Sequence, residues 1–313
     1  MPVAGWIGIA AAIVVALLGA GVWMMAVKAQ SPTPKPNETK PPEPYEEAEW
    51  QSGESRIRGW LLRPRAGRPG PWPVVVVAHG WGSNRSRVLR YAVPLRDAGF
   101  AVLTYDARSH GESGRVKAPS GLMFRDDLLA ALRWIRARND LDAGRIGVLG
   151  HSVGGFGAVL ALDEGAPISA LVTDAMPVRF ATMVEAELRR KGLPPFPLAN
   201  LIGAATLLRS GISRKVLKRA DPARILADNE RSGRVPALHV HSRKDSFIPP
   251  SELEHVLAAV PAARHLFVDE EGHSVSEKDP AFWPAVLPFF AEHLGSKKRG
   301  PAASAASPGE LYE

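Results

Sequence analysis

Ile146-Gly147-Val148-Leu149-Gly150-His151-Ser152-Val153-Gly154-Gly155-Phe156-Gly157 joins an apolar strand to a helix start through a G-x-S-x-G turn. A serine that is to react must stand above the sheet on a sharp, strained corner. Glycines two before and two after remove the side chains that such a corner would crush. Gly155 and Gly157 thin the following helix, which permits close packing and leaves backbone N–H groups accessible. A Gly-rich turn around an inert serine is the plainer reading. The flanking strand and helix favour a nucleophile at Ser152 instead.

Outward from this corner the chain alternates. Arg56 to Leu62 has strand-like alternation, and Val74-Val75-Val76-Val77-Ala78 is the β-branched run of a strand buried on both faces. A helix over Val88 to Ala98 leads to a strand at Ala101 to Tyr105, then helical spacing over Asp126 to Ala137. After Ser152 come a helix from about Val153 and strands at Ala170 to Thr173, Ala237 to His241 and Leu266 to Val268. A last helix spans Pro280 to Leu294. The pattern predicts an α/β domain over 45–295 with a mostly parallel, doubly wound sheet.

In such sheets ligands bind beyond the carboxyl ends of the strands. A serine there needs a base and an orienting acid. His273 follows the last predicted strand in Asp269-Glu270-Glu271-Gly272-His273-Ser274, and Asp245 follows the strand Ala237 to His241. The order Ser152, Asp245, His273 suits three strand-end loops meeting over one sheet. Asp174, at the end of the preceding strand, is an alternative acid. Backbone donors for an oxyanion are expected at Trp81, in His79-Gly80-Trp81-Gly82, and at Val153. His79, His239 and His241 read as structural hydrogen-bonders. The charged groups of Asp106-Ala107-Arg108-Ser109-His110-Gly111-Glu112-Ser113 read as pairs that stiffen a loop.

Taken together, these segments resemble the α/β-hydrolase superfamily, in particular its serine aminopeptidase and Bem46-like esterase branches, over about Glu49 to Leu294. The resemblance implies the α/β-hydrolase fold. It also implies Ser152 as nucleophile, His273 as general base and acid, Asp245 as orienter, and the Trp81 and Val153 amides as oxyanion hole. Ser242 departs from the pattern, which has glycine after the strand-end histidine. The expected activity is a serine hydrolase cleaving a carboxylic ester, or a thioester or amide, through an acyl-enzyme and with no cofactor or metal. A peptidase-like amidase and a non-catalytic binding module are the alternatives.

Composition limits what else the chain can be. With 313 residues and no Cys it has no disulfide, thiolate zinc site or cysteine nucleophile. From Met1 to Val27 no side chain is charged, and Trp6 and Trp23 flank a run long enough to cross a bilayer. We read 1–27 as a retained, single-pass anchor, against a cleaved signal peptide, because the run exceeds an ordinary signal core and no Lys or Arg precedes it. Lys28, Lys35 and Lys40 favour a cytoplasmic domain, whereas a secretory anchor would export it. Residues 28–44 read as a Pro-rich linker, a semi-rigid spacer, and 296–313 as a disordered tail.

Between two predicted strands, residues 176–235 are helical and basic, with twelve Lys/Arg against five acids. Their excess equals the net +7 of the whole chain. This is the expected helical cap. Arg189-Arg190-Lys191 and Arg214 to Arg219 are candidates for contact with anionic lipid, at about 1 kcal/mol per residue near such a surface. Nucleic acid is not expected, since no aromatic-basic interleaving or groove-reading motif is present. The partners expected are a small or lipid-like acyl substrate and the membrane.

Overall fold

The computed structural model describes residues 3–65 and 69–295, so the tail expected over 296–313 lies outside the described residues. The helices are α1 (Val3–Ala29), α2 (Leu89–Asp97), α3 (Gly121–Arg136), α4 (Val153–Asp163), α5 (Phe180–Arg190), α6 (Leu198–Ser210), α7 (Arg214–Arg219), α8 (Pro222–Ser232), α9 (Ser251–Ala259) and α10 (Phe282–Leu294). The strands are β1 (Tyr45–Ser52), β2 (Ser55–Leu62), β3 (Trp72–Ala78), β4 (Ala101–Asp106), β5 (Leu141–His151), β6 (Ala170–Asp174), β7 (Ala237–Lys244) and β8 (Arg264–Glu271).

The valine run organises the domain. Successive strand side chains point to opposite faces, so Val74 and Val76 enter one core while Val75 and Val77 enter the other. The first core is closed by α3, α4, α8 and α9, the second by α2 and α10. The eight strands lie in the order β1-β2-β4-β3-β5-β6-β7-β8. From β4 to β8 the neighbours are parallel, and β1 and β2 add an antiparallel edge. The expected mostly parallel sheet with helices on both faces is what the chain forms.

Two features differ from the sequence reading. β1 was not anticipated, because Tyr45-Glu46-Glu47-Ala48-Glu49-Trp50 carries three carboxylates. At an edge they cost little: Glu49 pairs with Arg56 and Arg58 at 2.9 and 2.7 Å, and Glu47 accepts from the Trp60 indole at 3.0 Å. The Pro-rich stretch, in turn, does not act as a spacer that holds the domain away. It is strapped onto the domain. Asn84 Nδ2 donates to the Lys35 and Pro36 carbonyls, Asn37 Nδ2 to Asp106 at 2.9 Å, and the buried Arg96 to the Pro42 carbonyl at 2.8 Å.

α1 is a candidate transmembrane span, apolar over the 24 residues Trp6–Ala29. Its C-terminal part touches the helices between β6 and β7. Ala26 is buried in a cluster with Leu188 of α5 and Ile202 of α6. These helices leave the sheet at the carboxyl end of β6, and Glu252 of α9 fixes their start. Its buried carboxylate accepts from the Val178 and Arg179 amides at 2.6 and 2.8 Å and from Thr182 Oγ1 at 2.9 Å.

Candidate active site

The corner at Ser152 has the backbone its sequence predicts. Ser152 sits between β5 and α4 at φ 53°, ψ −125°, a conformation rare for a residue with a side chain. It survives because the backbone around it is closely packed. A Cβ on Gly150 would lie 2.5 Å from the Gly155 Cα, and one on Gly154 would run into the Ala78 and His79 carbonyls. Neither neighbour is a flexible side chain that can swing away. Gly154→Ala is therefore expected to destabilise the fold by about 3 kcal/mol, read as a lowered urea midpoint at unchanged m-value.

Two loops bring their side chains to this corner. His273, just beyond β8 and after Gly272 at φ 121°, places Nε2 2.8 Å from Ser152 Oγ. Its Nδ1 is 2.7 Å from Asp245 Oδ2. Asp245 follows β7 and is buried, and its other oxygen accepts from the Phe247 and Ile248 amides at 2.9 Å each. Those two donors fix the carboxylate in place, so that Nδ1–H donates to it and Nε2 is left to accept the serine proton. The chain order Ser152, Asp245, His273 closes into one hydrogen-bonded line.

Ser242, where the family pattern has glycine, has a structural role. Its hydroxyl donates to the Glu270 carbonyl and accepts from the Lys244 amide, tying the loop of Asp245 to the loop of His273.

Asp174 is not joined to this line. Its carboxylate accepts from Tyr91 OH at 2.5 Å and faces His151 Nδ1 at 3.2 Å. Burial alone would raise its pKa, but His151 and Tyr91 hold it down at about 2. His151 in turn meets Ser274 Oγ at 3.0 Å through Nε2, and its ring lies 5.1 Å from that of His273. The sequence reading missed this second network. The only local signal was the position of His151 and Ser274 beside Ser152 and His273.

The turn after β3 packs against the serine. A Cβ on Gly80 would lie 2.9 Å from Ser152 Cβ, so the backbone runs directly beside the serine. His79 shapes the turn as expected: its Nε2 accepts from the Ala107 amide at 2.9 Å, so Nδ1–H donates to the Gly80 carbonyl at 2.7 Å. The Trp81 and Val153 amides make no backbone hydrogen bond among the described residues. Val153 also opens α4, whose dipole favours negative charge at that end. His239 and His241 are satisfied by Thr173 Oγ1 at 2.8 Å and the Ile248 carbonyl at 2.9 Å. In the Asp106 to Ser113 loop, Asp106 pairs with Arg85 at 2.8 Å and Arg108 with Asp127 at 2.5 Å, the stiffening pairs the sequence suggested. No cluster able to hold a metal ion occurs among the described residues.

A family model described as serine aminopeptidase, S33, matches residues 70–221, which takes in Trp81 and Ser152 and stops short of Asp245 and His273. YqkD of Bacillus subtilis is 28% identical over 208 residues, covering 64% of this chain and 65% of that one. Rv2307c of Mycobacterium tuberculosis is 28% identical over 275 residues, covering 84% and 87%. Among solved structures, the Pyrococcus furiosus esterase Pf2001 matches with a TM-score of 0.64 at 21% identity, covering 84% of this chain and 98% of that one. A puromycin-hydrolyzing peptidase of Mycobacterium tuberculosis matches at 0.62 and 18%, covering 82% and 40%. At these identities the structural likeness is one of fold.

Proposed function

Because this chain belongs to the α/β-hydrolase superfamily, whose members similar to it include esterases and peptidases, we propose that it is a membrane-anchored serine hydrolase of carboxylic esters. The observation that carries the reading is the line from Ser152 Oγ through His273 to Asp245, with contacts of 2.8 and 2.7 Å.

In this mechanism Ser152 Oγ attacks the ester carbonyl carbon as His273 Nε2 takes its proton. The carbonyl oxygen becomes an oxyanion facing the Trp81 and Val153 amides, which gain strength as charge develops on it. Asp245 keeps Nδ1 protonated and stabilises the imidazolium. Collapse of the tetrahedral species breaks the C–O bond, and His273 returns the proton to the leaving alcohol. Water, deprotonated by the same nitrogen, then releases the acid from the acyl-enzyme. A thioester needs no change to this sequence. An amide needs the proton delivered to a poorer leaving group.

The anchor is α1, kept in the mature chain. The strap from Lys35 to Pro42, bound along its length to the domain, supports a polypeptide that continues unbroken from span to fold.

The test is labelling of the purified full chain by a fluorophosphonate. Wild type is expected to label and Ser152→Ala to lose the label at equal folded content. Folded wild type that stays unlabelled after detergent is varied to loosen the cap would overturn the reading.

A further inference from the structure

We propose that the tip of the cap, residues 192–197 with the outer face of α6, is itself immersed in the bilayer surface beside α1, so that the site opens towards lipid and takes a bilayer-resident acyl ester. The inference rests on the anchored reading of α1 and extends it to a second element.

Placement against α1 comes first. Leu201 and Ala205 of α6 share an apolar groove of about 330 Å³ with Val15, Leu18, Val22 and Trp23 of α1. On a rise of 1.5 Å per residue, those four residues lie about 8 to 20 Å along the helix from Lys28, the first charge after the span. A bilayer that covers α1 therefore reaches the flank of α6. The end of α6 is tied to the foot of α1: Gln30 donates to Ser210 Oγ at 2.6 Å and to the Pro119 carbonyl at 3.2 Å, and Arg209 donates to Gln30 Oε1 at 3.2 Å.

The chemistry of the exposed surface agrees. Phe196 is 80% exposed, Leu208 74% and Leu201 48%. The tip Gly192-Leu193-Pro194-Pro195-Phe196-Pro197 carries no charge. In water such side chains are a liability. Continuous with a lipid-facing helix, they are what an interfacial element presents.

Charge then separates into two kinds. Arg189 pairs with Glu185 at 2.8 Å, and Arg190 and Lys191 share Glu187 at 2.7 and 2.8 Å, so this half of the expected lipid-binding cluster is largely offset, with one positive charge in excess. Arg214, Lys215, Lys218 and Arg219 of α7 are exposed and have no side-chain partner among the described residues. They follow α6 directly, where headgroup phosphates would meet a helix leaving the membrane surface. The cap leaves the sheet next to the serine. The cap departs from β6 at Asp174, whose backbone is in register with His151 and accepts from the Ser152 amide at 2.8 Å.

The absence of Cys makes the test direct. Single-cysteine variants F196C, L208C, L17C and E254C of the full chain are labelled with an environment-sensitive dye. They are then reconstituted into phosphatidylcholine–phosphatidylglycerol vesicles with or without doxyl lipids. Labels at 196, 208 and 17 are expected to shift to the blue and be quenched by the doxyl groups, and the label at 254 on α9 to remain aqueous. If 17 is quenched and 196 and 208 behave like 254, the cap proposal is overturned and the anchor stands. If 17 also stays aqueous, anchor and cap proposal fall together. A blue shift at 196 and 208 without quenching means that a second copy or another protein covers the face, and likewise overturns it. As a functional arm, F196S/L208S is expected to lower the rate on a vesicle-embedded long-chain ester about tenfold relative to a soluble short-chain ester. An unchanged ratio would sink the claim about substrate.

Discussion

Asp245→Asn is expected to cut kcat/KM on a soluble ester by about 10⁴-fold with little change in stability, whereas Asp174→Asn costs stability and at most about tenfold in rate. The asymmetry follows from which histidine each carboxylate faces. Asp245 Oδ2 lies 2.7 Å from His273 Nδ1 and selects the tautomer whose Nε2 accepts from Ser152. The other oxygen is already occupied by the Phe247 and Ile248 amides at 2.9 Å each, which lets an amide place only its Nδ2 donor towards the imidazole. The ring then turns its proton towards Oγ, and the serine loses its base. Asp174 instead serves Tyr91 and His151 in a fully buried pocket. Its loss strands those groups, at a cost of about 1–3 kcal/mol, while leaving His273 oriented. Steady-state kinetics beside urea unfolding of both variants decide the matter. A large kinetic loss in Asp174→Asn and a small one in Asp245→Asn would transfer the orienting role to Asp174.

That choice also shows where legibility in the sequence ends. The serine corner was readable because its cause is local: a strand, a glycine on either side, a helix start, and a backbone at φ 53° that only such neighbours permit. The valine run was readable because burial on both faces demands apolar side chains at every position. β1 was not, since an edge strand pays little for Glu46 and Glu49 when Arg56, Arg58, Arg63 and Arg138 lie within reach, or for Glu47 beside the Trp60 indole. The strap was misread as a spacer for a similar reason. Its stability comes from Asn84 and Arg96, far along the chain, donating to carbonyls that a proline-rich segment leaves free. Asp245 and Asp174 both end parallel strands, and only side-chain direction separates them. The packing of α6 against α1 has no signature within either helix, because both are apolar and the contact is decided by how the cap leaves the sheet.

Unfolding of the full chain in detergent is expected to become steeply easier as pH falls from about 6.5 to 5, with several protons taken up on unfolding. Four histidines set this window. Burial lowers His79, His151 and His239 to about 4 and His110 to about 3. The sign follows from the depressed values. Well above pH 6.5 both states hold these rings neutral, and they leave stability unchanged. Between 6.5 and about 4 the unfolded chain binds protons that the folded chain refuses, so the stability present at higher pH is lost as pH drops. With every ring contributing, the slope approaches about 5 kcal/mol per pH unit, a large share of an ordinary domain's stability. The hydrogen bonds explain why the folded state resists. His79 must accept at Nε2 from the Ala107 amide at 2.9 Å, and the His79 and His110 rings lie 5.2 Å apart, where two cations would repel. Asp106 and Asp127, raised by burial, pull the other way by binding protons in the folded state first, which moderates the slope at its acid end. His239→Gln is expected to remove about one proton from the uptake, since among the described residues its ring bonds only to Thr173 Oγ1 and takes no part in the line at Ser152. Urea titrations across this pH range test the point directly. A flat stability between pH 6.5 and 5 would mean that these rings are charged in the folded state, and that the packing around His79 and His110 is looser than their contacts indicate.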